Sequence, residues 1–237
     1  MHRGMQTELI VALDVPNTAE IGRIVDVLPV DIRWFKVGLE LFCAAGPAAL
    51  KPLIERERLV FLDLKLHDIP RTIERAVRSA AQHGADLITV HASGGRAMLE
   101  AAATAARSCS TGRPRILAVT VLTSLDSTDF SDLGIAREPS EHVLRLGELA
   151  AACGIDGLVC SPLEVARMRA AIGPEMLLVT PGIRFPESEP GDQKRVGSPY
   201  QAARDGATHI VVGRPILEAQ DPHAAARRMQ EELRRRG

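Results

Sequence analysis

The chain has 237 residues, 46% of them hydrophobic and 25% charged, which suits a folded globular protein large enough to bury a sizeable core and excludes wholesale disorder. Aromatics amount to only 3%, too few for base-stacking platforms, and 29 basic against 30 acidic residues leave a net charge of −1. That balance gives no bulk attraction to nucleic acid or to a membrane surface, so an anionic ligand would need locally placed positive charge.

The N-terminal stretch reaches Asp14 after a short apolar run, too short for a secretory core, and no later run approaches the roughly 18 apolar residues of a membrane span. Cys43, Cys109, Cys153 and Cys160 form no C-x-x-C pair, and read as small buried hydrophobes of a reducing compartment. The expected setting is a soluble cytoplasmic protein.

From the N-terminus onward, two periods alternate. Short runs rich in Val, Ile and Leu fall at 9–14, 33–38, 59–64, 86–91, 115–122, 157–160, 176–180 and 208–213. Their near-continuous apolar character predicts strands buried on both faces. Between them, Ile21, Ile24, Val25 and Leu28 mark one helical face in 18–28, and Ile73, Ala76, Val77 and Ala80 another in 70–83. Pro70 suits a first helical turn and Gly84 a helix end. Further helices are predicted over 97–107, 141–152, 162–172 and 222–235, with long loops at 124–140 and 183–200. Eight strands alternating with helices predict an α/β fold, a (β/α)8 TIM barrel with a parallel eight-stranded core, as one domain over 1–237. An open doubly wound sheet would share this periodicity, but the G-x-G-x-x-G cradle after the first strand is missing.

Barrel active sites are assembled from residues at the C-terminal ends of several strands. Here the first strand ends in Asp14, the second carries Lys36, and the third runs into D-L-K-L-H-D, that is Asp63, Lys65 and Asp68. Alternation places Asp63 and Lys65 on one face. Three carboxylates interleaved with two ammoniums compensate one another and favour protonated lysines, which suits a proton donor better than a metal site. Asp14 and Asp68 taken singly also read as loop or helix-cap carboxylates.

A second cluster lies near the C-terminus. The seventh strand runs into Thr180-Pro181-Gly182-Ile183-Arg184 and the eighth into Gly213-Arg214. Loops after these two strands often hold a phosphate between backbone N–H groups and basic side chains, with Gly213 permitting close approach and Gln193 able to fold over as a neutral donor. His91, lacking a second histidine at ligand spacing, reads as structural, and His67 as solvent-facing. Arg227, Arg228 and Arg234–Arg236 read as a solvated face of the last helix.

The motifs ALDVP (12–16), FKVGLELF (35–42), FLDLKLHDIPRTI (61–73), TVHASGG (89–95), TVLTSL (120–125), VTPGIRF (179–185), GDQKR (191–195) and VVGRPI (211–216) span nearly the whole chain in order. In these the sequence resembles the orotidine 5′-phosphate decarboxylase family, bacterial free-standing type, the D-x-K-x-x-D element with its IP-x-T continuation being the most specific. The resemblance implies conversion of orotidine 5′-phosphate to UMP and CO2, by a TIM-barrel homodimer with shared active sites and no metal or organic cofactor. It assigns Lys65 as proton donor in a charged array with Lys36, Asp63 and Asp68, with Asp68 and Thr72 reaching into the neighbouring subunit's site. Asp14 and Lys36 would bind the ribose hydroxyls, Thr123 would line the pyrimidine side, and Arg184, Gln193, Gly213 and Arg214 would hold the 5′-phosphate. A sister group, the metal-dependent 3-keto-gulonate 6-phosphate decarboxylases, shares D-x-K-x-x-D but carries an acidic metal ligand where Lys36 stands. A non-catalytic sugar-phosphate or nucleotide sensor would have lost the donor, which Lys65 contradicts.

Overall fold

The computed structural model describes residues 6–110, 112–185 and 195–235. Eight strands close a barrel in chain order: β1 (Glu8–Leu13), β2 (Trp34–Val37), β3 (Leu59–Leu66), β4 (Leu87–His91), β5 (Arg115–Val119), β6 (Gly157–Val159), β7 (Leu177–Thr180) and β8 (His209–Val212). Every pairing is parallel, and β1 pairs β8 to complete the circle. Closure settles the choice between a barrel and an open sheet that periodicity left undecided.

Alternation along the strands divides the apolar residues into two cores. Val11, Leu13, Phe35, Val37, Val60 and Leu62 point outward and join the large cluster that receives the helices. Ile10, Ala12, Trp34, Phe61, Leu87, Leu117, Leu177, Val179 and Val211 form a smaller cluster inside the barrel. This inner plug is solid, so the polar residues that continue the inward phase are stacked at the C-terminal mouth.

The predicted helices form with small changes of boundary. Thr18–Val27 starts at Asn17, whose side chain accepts from the Ala19 N–H at 3.1 Å. Pro70–Gln82 begins on its proline and buries Ile73, Val77 and Ala81 along one face. The stretch predicted as a helix over 162–172 opens instead with a 3-10 turn at Pro162–Glu164 before the helix Val165–Ile172.

The expected loop at 124–140 holds a short helix, Ser127–Asp132. Asp126 accepts from the N–H groups of Thr128 and Asp129 while Asp129 accepts from that of Asp126, and Phe130 is buried beneath them. These local bonds need no hydrophobic period, which is why the periodicity missed them. Pro199–Arg204 likewise shortens the loop expected to run to 200.

Two further expectations change. Cys153 and Cys160 are buried, and burial pushes the Cys160 thiol up to about 12, leaving it an inert hydrophobe. Cys43 is exposed and Cys109 half-buried, so not all four serve the core. In the terminal helix Pro222–Arg234, Arg227 bonds both Asp31 oxygens at 2.9 Å, Arg234 approaches Asp31 at 3.6 Å, and the Arg228 guanidinium lies 4.1 Å from the centre of the Phe185 ring. These arginines tie the last helix to the body rather than forming only a solvated face. Arg236 lies outside the described residues.

At the opposite, N-terminal end of the barrel, His209 is 5% exposed, with its ring edge-on to Trp34 at 5.5 Å between centroids and Nδ1 2.9 Å from the Thr208 hydroxyl. Burial, with a smaller contribution from Arg115, pulls its pKa from 6.5 to about 4. Because the folded value lies below the unfolded one, the unfolded chain takes up the proton first as pH falls. Stability contributed by the neutral ring is therefore full above pH 6.5 and is lost progressively down to about pH 4. Urea unfolding across this window should show a loss of up to about 3 kcal/mol that is absent from His209→Gln; equal slopes for both proteins would contradict a buried neutral histidine.

Candidate active site

The inward phase of the strands carries directly from apolar plug to charged mouth. Two residues beyond Ala12, Trp34 and Phe61 stand Asp14, just past the end of β1, Lys36 and Asp63. Lys36 Nζ lies 3.0 Å from Asp14 Oδ1 and 4.0 Å from Asp63 Oδ2, and Lys65 Nζ lies 3.0 and 2.9 Å from the two Asp63 oxygens. Charges alternate along the row Asp14, Lys36, Asp63, Lys65. The side chains of Lys36 and Asp63 are only 12% and 13% exposed, so their mutual compensation matters, whereas Asp14, at 56%, can face a ligand in solvent.

Lys65 does not reach this row by regular alternation. The β3–β4 register pairs Leu62 with Ile88 and then Leu66 with Val90, setting four steps of β3 against two of β4. Within this bulge Lys65 adopts φ +49°, a left-handed conformation that non-glycine residues seldom take and that costs on the order of 1–3 kcal/mol. Its backbone N–H donates to the Thr89 hydroxyl at 2.8 Å, and that hydroxyl reaches Asp63 Oδ1 at 3.0 Å.

Around this row lies a cleft of about 390 Å³ whose walls include Asp14, Lys36, Asp63, Lys65, Thr123, Arg184, Gly213 and Arg214. The structure thus gathers residues from both sequence clusters at one mouth. A Cβ on Gly213 would approach Asp14 Oδ2 to 3.2 Å, so glycine keeps this wall open. Gly38, which sequence reasoning passed over, does the same for the ammonium: a Cβ there would stand 2.8 Å from Lys36 Nζ. Its signal was a lone glycine two residues after an inward lysine. Thr89 was missed as well, as a polar residue inside an apolar strand run.

Asp68 and Thr72 are exposed and do not line this cleft. Asp68 Oδ1 accepts from the N–H of Ile69 at 2.7 Å, the local role of a loop carboxylate. His67 is exposed, as expected, and its ring centre is 5.5 Å from that of half-buried His91, whose pKa is lowered first by burial and then by His67 and Lys65. Neither histidine lines the cleft. Gln193 lies outside the described residues. Among the described residues no group of three or more His, Cys, Asp or Glu is placed to hold a metal ion, and no helix is long and apolar enough to cross a membrane.

A family model for the orotidine 5′-phosphate decarboxylase / HUMPS family matches residues 7–229. The chain belongs to this family. A relative from Moorella thermoacetica named orotidine 5′-phosphate decarboxylase is 50% identical over 231 residues, covering 95% of this chain and 92% of that one. Another of the same name from Anaeromyxobacter sp. is 52% identical over 216 residues, covering 91% and 93%. A crystal structure of orotidine 5′-phosphate decarboxylase from Lactobacillus acidophilus superimposes with a TM-score of 0.85 at 38% identity, covering 97% of this chain and all of that one (100%).

Arg195, the first described residue after 185, acts as a clamp beside the cleft. Its guanidinium pairs with Glu164 and donates to the carbonyls of Leu122 at 2.9 Å and Val121 at 3.4 Å, next to Thr123. Glu164 also accepts from the Ser161 N–H at 2.9 Å; burial pushes its pKa up and Arg195 opposes that shift. Removing one member of a buried pair leaves the other uncompensated. Arg195→Ala should therefore cost about 3 kcal/mol in urea unfolding, part of it recovered by adding Glu164→Gln. A cost below about 1 kcal/mol would reduce the clamp to a surface pair.

Proposed function

We propose that this chain converts orotidine 5′-phosphate to UMP and CO2, without metal or organic cofactor, as one catalytic domain over 1–237, through a C6 carbanion that Lys65 protonates. The observation that carries the reading is the alternating row Asp14, Lys36, Asp63, Lys65 on one side of a cleft that also presents Arg184, Gly213 and Arg214. Breaking the bond from C6 to the carboxylate leaves its electron pair at C6, in an sp² orbital that no adjacent π system takes up directly. A preorganised ammonium stabilises that charge and then delivers its proton to C6, and solvent restores the proton to Lys65. Asp63 holds the Lys65 ammonium through both carboxylate oxygens, so little reorganisation is needed during the reaction.

On this reading Arg184 and Arg214 grip the 5′-phosphate, with Gly213 allowing close backbone approach and Gln193 serving as a neutral donor. Asp14 and Lys36 take the ribose hydroxyls, and Thr123 borders the pyrimidine. Lys36 also speaks against the metal-dependent branch. Its ammonium already stands between Asp14 and Asp63, where a dication would have to displace it.

The exposure of Asp68 and Thr72, outside the cleft of their own chain, supports a homodimer in which they complete the neighbouring site. Four free thiols fit a cytoplasmic enzyme.

Purified protein in EDTA should turn over orotidine 5′-phosphate, followed by loss of the orotate absorbance, and Lys65→Ala should abolish that turnover. Absence of turnover by folded wild-type protein that still binds UMP would leave only a nucleotide-binding barrel. For the shared site, Lys65→Ala and Asp68→Ala proteins mixed under subunit exchange should regain activity, since one heterodimer site would be complete. Proven exchange without recovery would assign Asp68 to its own chain's site.

A further inference from the structure

We infer that the Thr89 hydroxyl is a positioning group for the reaction, locking the strained backbone of Lys65 to the carboxylate that holds its ammonium. The inference rests on the decarboxylase reading above and adds a residue which that reading does not use.

The register shift leaves β3 with two more residues than β4 between consecutive pairs, and N–H groups in a bulge need acceptors outside the regular ladder. Thr89 stands on β4 between the paired residues Ile88 and Val90, opposite the bulge. Its Oγ1 accepts from the Lys65 N–H at 2.8 Å. A backbone N–H can only donate, so the single hydroxyl proton is free to go to Asp63 Oδ1, 3.0 Å away. The same Asp63 oxygen accepts from Lys65 Nζ at 3.0 Å.

These bonds form a closed ring. It leaves Lys65 through its backbone N–H, passes through the Thr89 hydroxyl and the Asp63 carboxylate, and returns to Lys65 through its ammonium. Main chain and side chain of one residue are thereby fixed relative to each other. Thr89 is fully buried (0% exposed), so bulk water does not compete for either bond. It does not line the cleft, so it acts through Lys65 and Asp63 rather than on a bound ligand.

Without the hydroxyl, the Lys65 N–H loses its acceptor and Asp63 loses a donor, while the φ of +49° loses one of the bonds that hold it. The ammonium then drifts from the point where the charge develops, and a displacement of about 1 Å at such a point can cost up to roughly a hundredfold in rate. Binding of the distant phosphate is untouched, so the loss belongs to kcat rather than KM. If Thr89 served only as a β-branched filler of its strand, valine would replace it without loss of rate.

The hydroxyl is the difference within two pairs, Thr89 against Thr89→Val and Thr89→Ser against Thr89→Ala. We expect kcat for orotidine 5′-phosphate to fall at least about tenfold within each pair, with KM changing less than about threefold, and Thr89→Ser to stay near wild type. Wild-type kcat in Thr89→Val, or equal kcat in the serine and alanine variants, would overturn the inference. Should Thr89→Val fail to fold, the serine and alanine pair decides alone. Failure of the wild-type protein to turn over would instead sink the decarboxylase reading, which separates the two.

Discussion

A carboxylate and an ammonium placed over an apolar barrel plug are stable there only as partners, and the site depends on that constraint. Lys36 and Asp63 are both nearly buried, and each has an oppositely charged neighbour on either side. Removing Lys36 would take from Asp14 its ion-pair partner, and removing Asp63 would do the same to Lys65. The row is therefore a single electrostatic unit, built by three different strands, and the closed barrel is what holds those strands in step.

The same constraint explains the irregularity of β3. A regular strand would carry Lys65 onward in the alternation, with its ladder bonds intact. The chain instead inserts a bulge and tolerates a left-handed lysine, with Thr89 and Asp63 receiving the bonds. Strain concentrated at one residue of the charged row, compensated by buried polar groups around it, is the pattern expected where geometry serves chemistry rather than stability. The Glu164–Arg195 pair plays a comparable part elsewhere, fixing the carbonyls beside Thr123.

Much of this was legible beforehand. All eight strands follow from apolar runs, because residues buried on both faces leave a continuous hydrophobic signal. The charged row follows from Asp14, Lys36, Asp63 and Lys65 interrupting those runs at their C-terminal ends, and the membership in a decarboxylase family from motifs spread along the chain. The short helix Ser127–Asp132 was not legible from periodicity, since its stability is written in side-chain caps. Nor were Thr89 and Gly38, whose roles are set by neighbours distant in the chain: Asp63 is 26 residues from Thr89.

The sequence by itself thus determined the order of elements, the buried apolar strands and the identity of the charged groups, because all of these are encoded in local composition and period. Only the tertiary structure decided that the sheet closes, which brings β1 beside β8 and sets Gly213 against Asp14. Only it decided that Lys65 reaches Asp63 through a bulge, because register between strands is a property of pairing and no single strand carries it.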